Sequence, residues 1–365
     1  MRKRLLCILL AALLCALTGC KKTPEPVEFS TFAMDTLMSV TVYGKGEKET
    51  QRVQDRLATK IRRLDSLLSV INEDSDVNRI NQAGGAPVEV EDHTAQLLAA
   101  ALELCEATNG ALDITAYPAV KAWGFTGEKY QVPSPVELEE LAGKIDYTAV
   151  ELGLESHSVP AGPDGEPDWT DPVKRDTVTL PAGMELDLGA VAKGYTGDQL
   201  AELARGNGIS SALLNLGQST IVAVGSKPNG SPWRVGVRDP AGEGYFAVVE
   251  LEDMAMGTSG GYQRFFEEDG ITYWHILDPE TAAPARSGLS SVTVVAPSAL
   301  TCDGLSTALF VMGLERGAQF WRDHPELEFE AILVTEDGEI YCTAGLTDRF
   351  SLAEGYKDRE VTVLE

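Results

Sequence analysis

In Glu185-Leu-Asp-Leu-Gly-Ala-Val-Ala-Lys-Gly-Tyr195 a carboxylate, Asp187, stands before a glycine, and an amine, Lys193, stands after it. The segment reads as a short strand, a glycine turn and a helix start. Free backbone N–H groups at a helix N-terminus attract anions. Lys193 in the first helical turn adds positive charge, and Asp187 can orient a polar ligand group or tune the lysine. The chemistry this suits is the binding of a phosphate-bearing ligand. Read alone, the same residues also fit an ordinary turn with a surface lysine.

A second constellation lies in Ser298-Ala-Leu-Thr-Cys-Asp-Gly-Leu-Ser-Thr307. Ser298 can cap a helix, and Asp303 and Thr307, four apart, share a helical face. A carboxylate and a hydroxyl on one face can hold a hard cation such as Mg²⁺, which takes a few protein oxygens and fills its other positions with water and phosphate. A helix with one polar stripe is the plainer alternative. A third is Tyr273-Trp-His-Ile-Leu-Asp-Pro279, where His275 stands at a strand end before a turn. Histidine is the usual general base near neutral pH, although a strand-end histidine often only bonds the backbone. A fourth is Gly110-Ala-Leu-Asp-Ile-Thr115 with Trp123-Gly-Phe125, whose aromatics could line a flat-ring pocket or fill the core. There is no Walker-type phosphate loop, Gly-x-Gly-x-x-Gly or His-Glu-x-x-His. His93, His157, His275 and His324 are scattered without zinc-ligand spacing.

The elements that must position these residues follow from periodicity. Residues 36–43 alternate as a strand, with Met38, Val40 and Val42 on one face. Residues 47–70 place Val53, Leu57, Ile61, Leu64 and Leu68 on one helical face. A second helix spans 94–108 and stops at Asn109-Gly110, and a third starts at the capping box Ser134-Pro-Val-Glu137. Residues 155–176 are rich in Pro, Gly, Asp and Ser and read as a surface insertion. Strands are expected at 177–181, 211–216, 220–225, 232–238, 245–251, 271–277, 289–296, 328–334 and 339–343. Helices are expected at 191–205, 298–312 and 314–323. This mixed order predicts an α+β fold with a mixed, largely antiparallel sheet core and flanking helices.

The first residues must be set aside before fold reasoning. Arg2, Lys3 and Arg4 precede an apolar run from Leu5 to Leu17, and Leu17-Thr-Gly-Cys20 resembles a bacterial lipoprotein signal. Residues 1–19 are read as a signal peptide, 20–30 as lipidated Cys20 and a linker, and 31–365 as the catalytic unit. A short membrane-anchor helix is the alternative, but the run falls short of the ~20 residues that span a bilayer. The chain is therefore expected outside the cytoplasm, tethered to the membrane through Cys20. The length that remains suits one large domain or two lobes. The formal net charge of −26 argues against a nucleic-acid partner. Cys105, Cys302 and Cys342 are too few for a disulfide framework and are expected as buried thiols.

Together and in order, these segments resemble the ApbE family of flavin transferases. The resemblance runs from about Phe32 to Phe350. It is carried by Met34-Asp-Thr36, the stretch Asn72 to Asn81, Gly110 to Thr115, Trp123-Gly-Phe125, Asp187 to Tyr195, Asn215-Leu-Gly217, Pro232 to Gly236, Thr258-Ser-Gly260, His275-Ile-Leu-Asp-Pro279 and Asp303 to Thr307. Any one of these is weak; their shared order is specific. The resemblance implies a T-fold-related catalytic unit that moves FMN from FAD to a Thr or Ser hydroxyl of a target flavoprotein, releasing AMP. It implies a Mg²⁺ site formed by the Ala190 carbonyl, Asp303 and Thr307. It implies FAD contacts at Met34, Ala111, Leu112, Asp113, Asp187 and Lys193. His275 is favoured over Asp303 as the base for the acceptor hydroxyl, because a metal-bound carboxylate is the poorer base. A membrane redox subunit is the expected acceptor, since no clear acceptor motif lies in the chain itself. Asp35, Gln218 and Ala282 depart from the family, where glycine is common. Two other readings share the residues: metal-dependent hydrolysis of FAD to FMN and AMP, and a flavin-binding lipoprotein without catalysis.

Overall fold

The computed structural model describes residues 25–44, 46–127, 129–154 and 176–365. The signal segment, Cys20 and nearly all of the proposed insertion at 155–176 lie outside the described residues. Among these, one nine-stranded sheet runs in chain order: β1 (Val27–Ala33), β2 (Thr36–Tyr43), β3 (Ser211–Leu216), β4 (Thr220–Val224), β5 (Ala255–Gly260), β6 (Leu289–Ala296), β7 (Glu330–Thr335), β8 (Ile340–Thr343) and β9 (Val361–Leu364). Every neighbouring pair is antiparallel except β8 with β9. The expected largely antiparallel α+β architecture is what the chain forms. β1 begins at Val27, inside the range 20–30 expected as a linker, and pairs along its whole length with β2.

The helices are α1 (Glu47–Leu68), α2 (Asp76–Gln82), α3 (Asp92–Ala107), α4 (Tyr117–Ala122), α5 (Pro135–Ala142), α6 (Ala192–Gly206) and α7 (Ala299–Asp323). The apolar stripe of α1 is buried as its spacing requires, with Leu57, Ile61 and Leu64 fully enclosed. Each such side chain contributes roughly 1.5–3 kcal/mol on burial. Ser134 caps α5 by accepting from the Glu137 N–H. The expected break between two helices at 312–314 is Gly313, whose φ of 81° interrupts α7.

Both faces of the sheet are covered. Val222, Val224, Val292, Val294 and Leu333 face the main core beneath the helices. Ile221, Ala223, Val295, Ile332 and Val334 face a second core. That core is closed by a small sheet of strands Trp233–Arg238, Tyr245–Leu251 and Phe350–Leu352. Two-sided burial explains why these strands read as unbroken apolar runs. A third cluster gathers Trp123, Phe125, Leu141, Phe266 and Ala282 beside the hairpin of strands Phe265–Glu268 and Ile271–Trp274. The aromatics of Trp123-Gly-Phe125 are thus core rather than pocket walls. The Trp123 Nε1–H donates to the Ala282 carbonyl at 2.8 Å, and Phe125 lies edge-on to the His275 ring. Cys105, Cys302 and Cys342 are buried free thiols.

Candidate active site

The stretch before α6 is extended but forms only an isolated bridge, Ala116 to Glu185, in place of the expected short strand. Two clamps hold it. The Asn81 carboxamide donates to the Leu186 carbonyl at 3.0 Å and accepts from the Leu186 N–H at 2.6 Å. The Asp187 N–H donates to the Ile114 carbonyl at 2.8 Å. The Asp187 carboxylate accepts from the Gly189 N–H at 2.8 Å, which folds the turn and fixes where that carboxylate stands. Burial raises its pKa, while the Gly189 N–H, Arg264 and Lys193 pull it back.

Lys193 is the second residue of α6, and its Nζ reaches the Gly189 carbonyl at 3.5 Å. The start of α6 is not the open anion site its sequence suggests. The Gly194 N–H donates at 2.7 Å to Oδ2 of Asp303, more than a hundred residues away. As one of the first four N–H groups of α6, it has no acceptor within the helix. The Ala190 carbonyl accepts no backbone N–H among the described residues. A side-chain carboxylate thus occupies the helix end, and the Ala190 carbonyl before it is left without a backbone donor.

Asp303 is 7% exposed, and its other oxygen accepts from the Thr220 hydroxyl at 2.7 Å. Burial pushes its pKa up to about 6, against the pull of Lys193, Thr220 and Gly194. The backbone must come close for this to happen. A Cβ on Gly194 would stand 2.2 Å from the Ala299 carbonyl oxygen, and one on Gly257 would stand 2.7 Å from the Cys302 carbonyl carbon. Glycine at these positions lets α6 and β5 press against the first turn of α7. That turn is held by Asp198 of α6, which accepts from the Ala299 N–H at 2.7 Å, the Leu300 N–H at 3.0 Å and the Ser298 hydroxyl at 2.8 Å. The Ser298 side chain in turn caps Thr301. Thr307 sits one turn after Asp303, with its hydroxyl 3.1 Å from that of Ser259 on β5.

His275 belongs to the same place, since Lys193 and Arg264 both act on it electrostatically. Its Nδ1 lies 3.2 Å from the Arg264 carbonyl. A carbonyl only accepts, so Nδ1 carries the proton and Nε2 is left as the free acceptor. Burial, then the Arg264 charge, lowers its pKa to about 4, so the ring is neutral at pH 7. Arg264 also pairs with Asp35 at 2.7 Å. This joins the His275 side of the site to the β1–β2 turn, where Met34 lies between α1 and α6. The Met34 N–H donates to Asp65 at 2.8 Å, and its sulfur accepts from Thr196 at 3.7 Å.

The structure therefore brings together Asp187, Ala190, Lys193, His275, Asp303, Thr307 and Met34. It treats the Gly110–Thr115 segment differently. Ala111 and Leu112 are buried in the main core. The Asp113 carboxylate is taken up by the Thr115 N–H at 2.8 Å, the Thr115 hydroxyl at 2.6 Å and the Tyr147 N–H at 2.9 Å. These residues adjoin the site through the Ile114 carbonyl, which accepts from the Asp187 N–H. Sequence reasoning passed over Asp198, Thr220 and Arg264, which shape the site without any local pattern. Met34, Asp35, Gln218 and Ala282 all have positive φ, of 49°, 57°, 67° and 55°. The three departures from glycine are thus at left-handed positions, and Asp35 has its charge paired with Arg264.

The donor set fits a small hard cation. It offers a buried carboxylate, a hydroxyl one turn away and a backbone carbonyl that accepts no backbone N–H among the described residues. These are oxygen ligands of the kind Mg²⁺ takes, with places left for phosphate and water. Among the described residues there is no group of three or more His, Cys, Asp or Glu placed to hold a metal ion.

Comparison with known proteins bears on this geometry. Residues 34–333 match the model of the ApbE family. The chain is 34% identical over 355 residues to the FAD:protein FMN transferase of Treponema pallidum, covering 93% of each chain. It is 31% identical to that of Salmonella typhimurium, covering 93% of this chain and 94% of the relative. Among solved structures, the ApbE protein of Thermotoga maritima superposes with a TM-score of 0.75 at 31% identity, covering 92% of this chain and all of that one. The flavinyl transferase ApbE of Pseudomonas stutzeri gives 0.71 at 27% identity, covering 91% and 95%. Fold, order of motifs and extent of match agree, and the chain belongs to the ApbE family.

Proposed function

We propose that this protein transfers FMN from FAD to a Ser or Thr hydroxyl of an acceptor protein, with a divalent cation at Ala190, Asp303 and Thr307. The relatives' activity supports the reaction class. The observation in this chain that carries the site assignment is the buried Asp303 carboxylate held by the Gly194 N–H at the start of α6, with the Thr307 hydroxyl one turn after it and the Ala190 carbonyl left without a backbone donor. A bound Mg²⁺ would supply charge neutralisation for the pyrophosphate oxygens of FAD.

The chain's own groups do the rest. Lys193, at the start of α6, holds negative charge at the pyrophosphate. Asp187 orients the ligand opposite Lys193 across the Gly189 turn. Neutral His275 takes the acceptor hydroxyl proton at Nε2. The hydroxyl oxygen forms a bond to the FMN phosphorus, the bond from that phosphorus to the bridging oxygen breaks, and AMP leaves with that oxygen. The segment from Arg2 to Cys20 supports a lipid tether outside the cytoplasm, with a membrane redox subunit as acceptor.

The test is incubation with FAD, Mg²⁺ and a domain bearing Asp-x-x-Ser/Thr-Gly-Ala-Ser/Thr. Flavin fluorescence that stays with the acceptor through SDS, with AMP released, is expected. Free FMN and AMP alone would make it a hydrolase, and unchanged FAD a binding protein. Asp303→Ala should abolish turnover.

A further inference from the structure

Ser259 belongs to the Thr258-Ser-Gly260 stretch of β5 and reaches no ligand in the scheme above. It is 9% exposed, and its hydroxyl lies 2.9 Å from Ser306 and 3.1 Å from Thr307. The proton order along these groups can be worked out. Ser306 is 3.0 Å from the Asp303 carbonyl, which only accepts, so Ser306 is the donor there. The Ser306 oxygen is then the acceptor for the Ser259 proton. The Ser259 oxygen keeps its lone pairs and can accept from Thr307. The competing acceptor for Thr307 is the Asp303 carbonyl one turn back, at a longer 3.3 Å.

We infer that Ser259 is a positioning residue for the cation site, drawing the Thr307 proton away so that the Thr307 oxygen faces the cation with a lone pair. This rests on the proposed cation site. A hydroxyl ligand that is free to rotate can present its proton to the metal, which repels it. A fixed acceptor on the far side removes that orientation. Partners of this kind orient metal ligands, and losing one weakens metal affinity about 10–100-fold. Gly257 makes the arrangement possible, because β5 could not approach α7 with a side chain there.

The test is Mn²⁺ binding to the purified protein without FAD, read by electron paramagnetic resonance of free Mn²⁺. Ser259→Ala should weaken binding about 10-fold or more. Ser259→Thr, which keeps the hydroxyl, should bind nearly as wild type, and Ser259→Cys, a weak hydrogen-bonding partner, should fall between. Melting of the metal-free variants checks that each is folded. Ser259→Ala binding Mn²⁺ as tightly as wild type, with Asp303→Ala impaired, would overturn the role of Ser259 alone. Equal binding by wild type and Asp303→Ala would overturn the cation site and this inference with it.

Discussion

Asp303 concentrates the conflict between stability and chemistry. Its folded pKa of about 6 stands above the ordinary 3.8, which corresponds to roughly 3 kcal/mol of cost when the buried group is charged. The folded state holds this proton more tightly than the unfolded state. The group's stabilising contribution is therefore full below about pH 4 and is lost as pH rises to about 6. Asp303→Asn can keep both hydrogen bonds, to Gly194 and Thr220, while removing the charge. It is expected to raise the melting temperature of the metal-free protein at pH 7, to have little effect near pH 4, and to abolish turnover. Proton competition gives a second expectation. Mn²⁺ affinity should fall about tenfold per pH unit below pH 6; a flat affinity from pH 7 to 5 would contradict the role of Asp303. His275 is neutral throughout this range and adds no limb there. Asp303 and Thr307 were legible in the sequence because helical spacing alone puts them together. Thr220 and Asp198 were not, since the contacts they make span 83 and about 100 residues and leave no local pattern.

Close approach of α6, β5 and α7 makes the site, and glycine permits it. Gly194→Ala should destabilise the protein by about 3 kcal/mol or abolish folding, because the new methyl would meet backbone that cannot rotate aside. Urea unfolding measures this, and a neutral result would contradict the packing described. The β3–β4 turn offers the opposite case. Gln218 is exposed at a φ of 67°, so Gln218→Gly should stabilise by roughly 0.5–1 kcal/mol. Elements with a clean period were legible: β2, β3, β6 and strand Tyr245–Leu251 have the expected ends. β5 was not, since Ala-Met-Gly-Thr-Ser-Gly has a single β-branched residue, Thr258, among small ones. Its small residues answer to α7, a tertiary demand. The helix end at α6 misled for a related reason: sequence shows that N–H groups are there, but not that a distant carboxylate has taken one.

At the scale of the whole molecule, a sheet built in chain order and buried on both faces leaves one edge hairpin, β1–β2, to carry Met34 and Asp35 to the site. The two-lobed alternative is not needed, since the main core extends from β1 and β2 through α7 to β7. No helix among the described residues is long and apolar enough to cross a membrane; the proposed tether is read from the sequence at Cys20. Cys20→Ser should move the protein from the membrane fraction to the soluble extracytoplasmic fraction, as fractionation and blotting would show. The account turns most directly on the intact mass of an acceptor domain after incubation with this protein, FAD and Mg²⁺. A single FMN adduct is predicted, lost with EDTA, with Asp303→Ala and with valine at the acceptor Ser or Thr. An unmodified acceptor alongside accumulating FMN and AMP would contradict it.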